Sequence, residues 1–286
     1  MGEARQTVER RQLGLMLQKL RIRTDKSQQE AGAVIGRTAA RISQVETAKG
    51  ALRTEDLSAL LDFYEATDEE RATIAALGIE ARRRQPRRIY SDQLPDAFRR
   101  LGDLQADASS IGYYEFGRIP GPLQSPYYVR ALIGIGSGVW WDPSTDEAET
   151  RIALRLDQQR RVLDARTPKQ LSFVFTEDAL RHVVGDRATM RGQVLHLVRV
   201  IDQRPELTVR ILPADTRDNP ALGGGIVVLD FVGAPRICFT SAVYGPYTYY
   251  DQEEDTVPLT QAFQRVRELA LNPADSRALL TSYLEK

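Results

Sequence analysis

Two long polar side chains, Arg41 and Gln44, lie three residues apart in a segment whose apolar residues have helical spacing. Because a helix brings residues i and i+3 onto one face, both side chains are expected to point outward together. Arginine can form a bidentate contact with guanine, and glutamine can do the same with adenine. The small neighbours Ala39 and Ala40 can pack against thymine methyl groups. These residues predict a surface that reads base edges in DNA.

Further polar residues around this helix are candidates for the same contact. Gln28 stands at the start of the preceding predicted helix, where free backbone N–H groups suit a phosphate. Thr38 is expected to cap the reading helix, and Ser43 is expected to lie on its exposed face. The full predicted DNA-binding set is Gln28, Thr38, Ala39, Ala40, Arg41, Ser43 and Gln44. The alternative is a plain helical hairpin whose polar face is only solvated.

A pair of short helices joined by a tight turn would hold these residues in place. The first helix is expected to begin after the N-cap Ser27 and to end at Gly36, since glycine favours the left-handed conformation after a helix. The residues expected to face inward are Ala31, Val34 and Ile35 in the first helix, and Ile42 and Val45 in the second. The inward residues would anchor the second helix from behind and leave its outer face for the major groove.

Three more helices are predicted around this pair, so that residues 10–81 form an all-α domain. The earliest carries an apolar stripe at positions i, i+3, i+4 and i+7, namely Leu13, Met16, Leu17 and Leu20. The two later helices are expected to be capped by Thr54 and Thr67. The predicted domain organisation is a helix-turn-helix domain over 1–81, a basic linker over 82–94 and a regulatory domain over 95–286.

The charge distribution supports a nucleic-acid-binding N-terminus, although the formal net charge of the 286 residues is zero. Residues 1–53 hold 11 Lys and Arg against 5 Asp and Glu, and the rest of the chain holds 28 against 34. A basic head on an acidic body suits a DNA-binding domain joined to a domain with another role. We expect no membrane span, no signal peptide and no intrachain disulfide, because Cys238 is the only cysteine; this favours a cytoplasmic, nucleoid-associated protein.

The remainder of the chain mixes strand-like and helical segments, so the predicted fold class is mixed, with an α+β regulatory domain after the all-α domain. The strand candidates are 111–116, 171–176, 207–213, 226–232, 236–241 and 246–251. The last three resemble an antiparallel meander rather than crossover units. A helix is expected over about 94–108, another to begin at Pro258, and a final one to restart at Asn272-Pro273.

No constellation for catalysis, a cofactor or a metal is recognised in the sequence, which predicts that the protein is not an enzyme. His182 and His196 are the only histidines, and neither has ligand spacing with cysteines or acids. An aromatic-rich set could line a ligand pocket or an interface, or could simply pack in the core: Tyr113, Tyr114, Tyr127, Tyr128, Trp140, Trp141, Tyr244, Tyr247, Tyr249 and Tyr250.

The N-terminal segment resembles the Cro/repressor-type helix-turn-helix family, also called the XRE family. The matching positions are Ser27, Gln28, Gly36, Thr38, Ile42 and Glu46. The segment shows two departures from the family pattern: Ala31-Gly32 replaces the usual Leu-Ala pair, and Ala48 replaces the usual glycine. Because glycine lowers helix stability by about 1 kcal/mol, Gly32 is expected to loosen the packing of its helix.

The second domain resembles the C-terminal domain of actinobacterial WhiJ-like regulators. Stretches that carry this resemblance include Ile119–Val129, Arg155–Leu163, Val209–Pro213 and Leu269–Ser276. The resemblance implies control of development and antibiotic production, together with a small acidic partner protein in a pairing similar to that of antitoxins with toxins.

Together these observations predict a sequence-specific DNA-binding regulator that binds a pseudo-palindromic operator as a homodimer, since one reading helix covers only a few base pairs. Its second domain is expected to mediate assembly and to bind the small partner protein. Two alternatives stay open at this stage: a second domain that senses a small-molecule effector, and an enzyme with a DNA-targeting head.

Overall fold

The computed structural model describes residues 6–82, 90–93, 96–139, 144–241 and 247–285. The chain divides into two compact units. The first comprises Met1–Leu104, Gly233–Ile237 and Pro246–Gln252, and the second comprises Gln105–Val232, Cys238–Gly245 and Glu253–Lys286. The N-terminal unit is therefore completed by two short segments from much later in the chain.

Five helices follow one another at the start of the first unit: α1 (Val8–Arg23), α2 (Gln28–Val34), α3 (Ala39–Glu46), α4 (Thr54–Phe63) and α5 (Asp68–Arg82). Ser27 caps α2 in a capping box with Glu30, and Thr38 caps α3, as predicted. Thr67 accepts a hydrogen bond from the amide of Glu70 at the start of α5. The prediction for Thr54 is wrong, because α4 already includes it and no side chain caps that helix.

The core of these helices consists of the aliphatic residues whose spacing predicted it. Leu13, Leu17, Ile42 and Val45 are all buried, so α1 and α3 face each other through their apolar sides. Val34 is an exception, since 43% of its surface is exposed. It is the last residue of α2, where the chain turns away toward Gly36, and a helix of seven residues is too short to bury it.

A buried polar network in the first unit joins α1 to β1 (Tyr90–Asp92), a strand in the segment predicted to be a linker. The Asp92 carboxylate receives two hydrogen bonds from Arg100, at 2.6 and 2.8 Å, and one from the amide of Gln12 at 3.3 Å. β1 pairs antiparallel with β7 (Tyr247–Tyr250). Just after β7, Asp251 accepts a hydrogen bond from the first backbone N–H of α1, at 3.0 Å.

The remaining strands are β2 (Ser110–Glu115), β3 (Gln170–Thr176), β4 (Leu207–Leu212), β5 (Gly225–Phe231) and β6 (Ala234–Ser241). The strand order is β1-β7-β6-β5-β2-β3-β4. β3 runs parallel to both β2 and β4, whereas β5 runs antiparallel to β2. The six predicted strand segments are found, and the mixed fold class is confirmed. The sequence did not predict the parallel ladder, whose strands are separated by helical crossovers.

The helices after residue 96 are α6 (Ala97–Asp107), α7 (Pro126–Gly136), α8 (Thr145–Leu163), α9 (Asp178–Arg181), α10 (Arg187–Gln203), α11 (Glu253–Leu269) and α12 (Pro273–Ser282). A 3-10 turn spans Gly121–Leu123. Asn272 caps α12 with Pro273 at its first position, as predicted. The predicted start of α11 at Pro258 is wrong. The helix begins five residues earlier with Glu253, Glu254 and Asp255, whose charges interact favourably with the helix dipole.

Candidate DNA-binding surface

The recognition helix α3 is fixed from behind by a close approach of α1. A Cβ atom on Gly14 of α1 would lie 2.6 Å from the carbonyl oxygens of both Val45 and Glu46. Such a contact is too short for any side chain, so only glycine lets the two helix backbones come this close. With Ile42 and Val45 buried against this support, the opposite face of α3 is left for another partner.

The turn between α2 and α3 depends on two glycines for different reasons. Gly36 adopts φ +63°, the left-handed region in which glycine carries no steric penalty. Gly32 stands where a Cβ atom would lie 2.6 Å from the carbonyl oxygen of Arg37, whose own amide donates to the Gly32 carbonyl at 2.8 Å. The expectation that Gly32 loosens this packing is wrong, because its missing side chain allows the turn to fold against α2.

The end of α3 shows how the second departure from the family pattern is accommodated. Ala48 adopts φ +64° and donates its amide hydrogen to the carbonyl of Val45 at 3.0 Å. The next amide, of Lys49, reaches the carbonyl of Gln44 at 2.7 Å. This pair of bonds is a Schellman motif, in which glycine usually occupies the left-handed position. Alanine fills it here with a fully buried methyl group.

Six of the seven predicted contact residues lie on α3 or at its cap. Thr38, Ala40 and Gln44 are exposed, and Ala39, Arg41 and Ser43 are half-buried. The hydroxyl of Thr38 accepts a hydrogen bond from the backbone N–H of Arg41 at 3.3 Å, which holds the N-terminal turn of the helix. The first two turns of α3 therefore present small and amide side chains, which suit an approach to base edges.

The guanidinium group of Arg41 is engaged within the protein. Its Nη2 donates to the carbonyl oxygen of Ala51 at 2.6 Å, and its Nη1 donates to Oε1 of Gln44 at 3.3 Å. A Cβ atom on Gly50 would lie 2.6 Å from Nη1, so this glycine makes room for the arginine. Reading a base with Arg41 would require the side chain to exchange these bonds for bonds to DNA.

The side chain of Gln28 also has a partner within the protein. That partner is Glu46, which in turn binds Arg21, and sequence reasoning assigned neither residue to the site. Nε2 of Gln28 donates to Oε2 of Glu46 at 2.7 Å, and Glu46 forms a bidentate pair with Arg21 at 2.6 and 3.0 Å. The hydrogen bonds that Arg21 donates to Glu46 raise the pKa of Arg21. Glu46 was noted only as part of a motif, yet a buried acid needs a cationic or hydrogen-bonding partner, and this requirement could have pointed to Arg21.

Three exposed basic side chains flank α3: Arg37 in the turn before it, and Lys49 and Arg53 in the segment after it. Positive charge on both sides of a reading helix suits the two phosphate backbones that border the major groove. These three residues belong to the basic excess of residues 1–53, but their spacing in the sequence did not predict that they flank the site.

The described part of the chain contains neither a membrane-spanning helix nor a cluster of metal-ligating side chains. None of the helices in that part of the chain combines the length and hydropathy that crossing a bilayer requires. Within the same ranges, no three His, Cys, Asp or Glu side chains lie together as a metal site would require.

Comparison with protein families agrees with the geometry of α2 and α3. A family model described as a helix-turn-helix domain matches residues 12–74, so the chain carries a helix-turn-helix DNA-binding domain. A second model, described as a domain of unknown function (DUF5753), matches residues 98–282, and the chain belongs to this family. Searches among curated proteins and among solved structures found no match.

Proposed function

We propose that this protein is a sequence-specific transcriptional regulator of the Cro/repressor type, acting on chromosomal DNA in the cytoplasm and without catalytic activity. The observation that carries the proposal is the placement of α3. Its buried side rests on α1, and its exposed N-terminal turns carry the residues suited to base contacts, between basic residues suited to phosphates.

A charge-reversal experiment on α3 tests this proposal. Ala40 is exposed at the second position of α3, where a glutamate interacts favourably with the helix dipole and should leave the fold intact. In the major groove, the same glutamate would be repelled by phosphates. We expect Ala40→Glu to reduce DNA affinity at least tenfold, measured by fluorescence anisotropy on sites selected from a random pool.

The matched control is Ala75→Glu, the same substitution at an exposed helical alanine on α5. It adds the same charge at a distance in sequence from the reading helix and should bind the selected sites almost as the parent protein does. Equal losses in the two variants, or failure of the parent protein to enrich any sequence, would contradict the proposal.

For the second domain we propose a role in assembly and in binding a small acidic partner protein. The support is an apolar stripe on α7, where Tyr127, the half-buried Ala131 and Ile135 are spaced four residues apart and therefore lie on one side of the helix. Tyr127 and Ile135 are both largely exposed. Adjacent exposed apolar residues are typical of protein contact surfaces.

The test compares affinity purifications of the full chain and of Ile135→Glu, each analysed by mass spectrometry. One small acidic protein should be enriched by the parent chain and lost in the variant. Val232→Glu, at an exposed position between β5 and β6, is the control and should retain it. A second candidate for this domain, a small-molecule sensor, is favoured by a different set of residues at the end of β2.

A further inference from the structure

Charged and aromatic residues converge at the carboxyl end of β2, inside the second unit. Glu115 is the last residue of the strand, and its carboxylate receives a hydrogen bond from Arg118 at 3.0 Å. Ser241 lies 3.5 Å from the same carboxylate oxygen. In sheets with parallel strands, ligands commonly bind at the carboxyl ends of those strands. Here β2 has a parallel neighbour on one side and an antiparallel neighbour on the other.

Two glycines lie beside this cluster: Gly225 makes room for the side chains of Ser241 and Glu115, and Gly121 leaves free space. A Cβ atom on Gly225 would lie 2.3 Å from the Ser241 hydroxyl and 3.2 Å from Oε1 of Glu115. A Cβ atom on Gly121 would lie 3.9 Å from both Nη1 of Arg155 and the hydroxyl of Tyr113. Arg155 and Tyr113 therefore approach the same point, beside the loop that carries Arg118.

That loop, residues 116–125, is irregular but held in place by side chains from two helices. Gln159 of α8 donates to the carbonyls of Gly121 and Gln124, at 2.7 and 3.0 Å. Gln193 of α10 donates to the carbonyl of Leu123 at 2.8 Å and accepts from the amide of Ser125 at 2.6 Å. A loop fixed in this way by one buried and one half-buried side-chain amide is preorganised, as binding loops are.

The charge balance and exposure of the cluster indicate what it could bind. The guanidinium groups of Arg118 and Arg155 both act on the carboxylate of Glu115, whose pKa is raised by burial. The Glu115 side chain is almost inaccessible, whereas 42% of the Arg118 side chain is open to solvent. The cationic partner of this buried acid can therefore be reached by an anion, and guanidinium groups favour carboxylates and phosphates.

We propose that Arg118, Arg155 and Tyr113 bind a small metabolite through an oxyanion group, either a carboxylate or a phosphate. Arginine side chains bind both groups through paired N–H donors, and the tyrosine hydroxyl adds a neutral donor. The site gives the sensor candidate for the second domain a defined location. The inference rests on the proposed regulator only for its biological role, since anion binding is measured without DNA.

The experiment measures the thermal unfolding of the full chain in sodium phosphate, sodium acetate and sodium chloride at equal ionic strength. Binding to the folded state should raise Tm by about 2–4 °C in phosphate or in acetate relative to chloride, at concentrations well above Kd. Once the variants below assign the shift to this site, a shift in phosphate alone points to a phosphorylated ligand, and a shift in acetate alone points to a carboxylic acid. No shift in either anion would overturn the proposal.

Variants show whether the effect arises at this site. Arg118→Gln removes one charge, and Gly121→Leu fills the space beside Arg155 without changing the charge, so both should abolish the anion-dependent shift. Arg130→Gln removes an exposed guanidinium that pairs with Glu149 and should retain it. If either of the first two variants fails to fold, Tyr113→Phe removes only a hydroxyl and should weaken the shift.

A shift that persists in Arg118→Gln and Gly121→Leu, or that disappears equally in Arg130→Gln, would mean that the anions act on the general surface charge, and the site would be rejected. A purely structural role for the Glu115–Arg118 pair predicts a lower Tm for Arg118→Gln and no difference between anions for the parent chain. DNA affinity, measured separately on the same samples, shows whether the regulator proposal fails independently.

Discussion

Arg41 is the residue on which the base-reading hypothesis depends most, and its contacts change what its removal should do. In the free protein its guanidinium binds the Ala51 carbonyl and the Gln44 amide, so part of the energy of a base contact offsets the loss of these bonds. In return, the side chain is already ordered beside the exposed face of α3, which lowers the entropy cost of binding.

We expect Arg41→Ala to cost about 1–3 kcal/mol of specific DNA affinity and to relax the preference at one base pair. Stability should also fall, by about 0.5–1.5 kcal/mol, because the hydrogen bond to Ala51 is lost. Anisotropy on the selected site and on single-base variants of it measures the first effect. The control is Arg160→Ala, which removes the same charge from α8 and should leave the base preference unchanged. If Arg41→Ala also leaves the base preference unchanged, Arg41 is not part of the reading surface.

Gly36 offers a test of backbone conformation that is free of packing effects. A Cβ atom there would meet no atom within 4 Å, so Gly36→Ala should be destabilising through its φ of +63° alone, by about 1–2 kcal/mol. Gly192, inside α10, also has open space around it but a helical backbone. Gly192→Ala should therefore stabilise the protein by about 0.5–1 kcal/mol. Chemical denaturation measures both, and shifts of the same sign would refute the explanation.

At the scale of elements, the helix-turn-helix is supported by segments that lie far from it in sequence. Two buried acids have this role in the first unit: Glu46 joins α3 to Arg21 of α1, and Asp92 joins β1 to Gln12 of α1 and to Arg100. Buried ion pairs contribute little net stability, but loss of one partner leaves an uncompensated charge in the interior. The orientation of α1 therefore depends on both pairs remaining complete.

Arg100→Met should destabilise the first unit by about 3–5 kcal/mol, since it leaves the Asp92 carboxylate buried beside an apolar side chain. The neighbouring Arg99 is exposed and pairs with an exposed Asp96, so Arg99→Met should change stability by no more than about 1 kcal/mol. Urea unfolding monitored by circular dichroism gives both values. Adding Asp92→Leu to Arg100→Met should recover part of the lost free energy of unfolding, because it removes the unpaired carboxylate. Equal destabilisation by Arg100→Met and Arg99→Met would contradict this view of the network.

At the scale of the whole molecule, the distribution of charge separates two roles. The basic residues concentrate in the first 53 positions. The acidic excess of the remaining chain is spread over residues 54–97, with 10 Asp and Glu against 6 Lys and Arg, and over the DUF5753 region 98–282, with 23 against 21. A single reading helix contacts only a few base pairs, so a regulator built in this way gains specificity by binding two half-sites.

We therefore expect a homodimer bound to a pseudo-palindromic operator whose half-sites are separated by about 10 base pairs or a multiple of that spacing. Hydroxyl-radical footprinting of the operator, together with light scattering of the complex, measures the spacing and the stoichiometry. Moving one half-site by five base pairs places it on the opposite side of the duplex and should abolish the second contact. A single asymmetric footprint with one bound chain would rule out this mode of binding.

The sequence alone determined those features that depend on neighbours along the chain. The caps at Ser27 and Thr38, the left-handed turn at Gly36 and the burial of Ile42 and Val45 follow from side-chain chemistry and helical spacing within a few residues. For this reason the outline of the helix-turn-helix and most strand positions were predictable. Val34 and Pro258 show where local rules failed, since a helix end depends on how the following chain packs.

Only the tertiary structure decided the features that depend on distant partners. No pattern in the sequence reveals that β2 and β3 pair in parallel, that Gln28 binds Glu46, or that Asp251 accepts from the first amide of α1. The same is true of Arg118 and Arg155, which are 37 positions apart in the sequence and both act on the carboxylate of Glu115. The physical reason is that strand pairing and buried charges are selected by the energy of the whole packed arrangement, to which the local sequence contributes only one side of each contact.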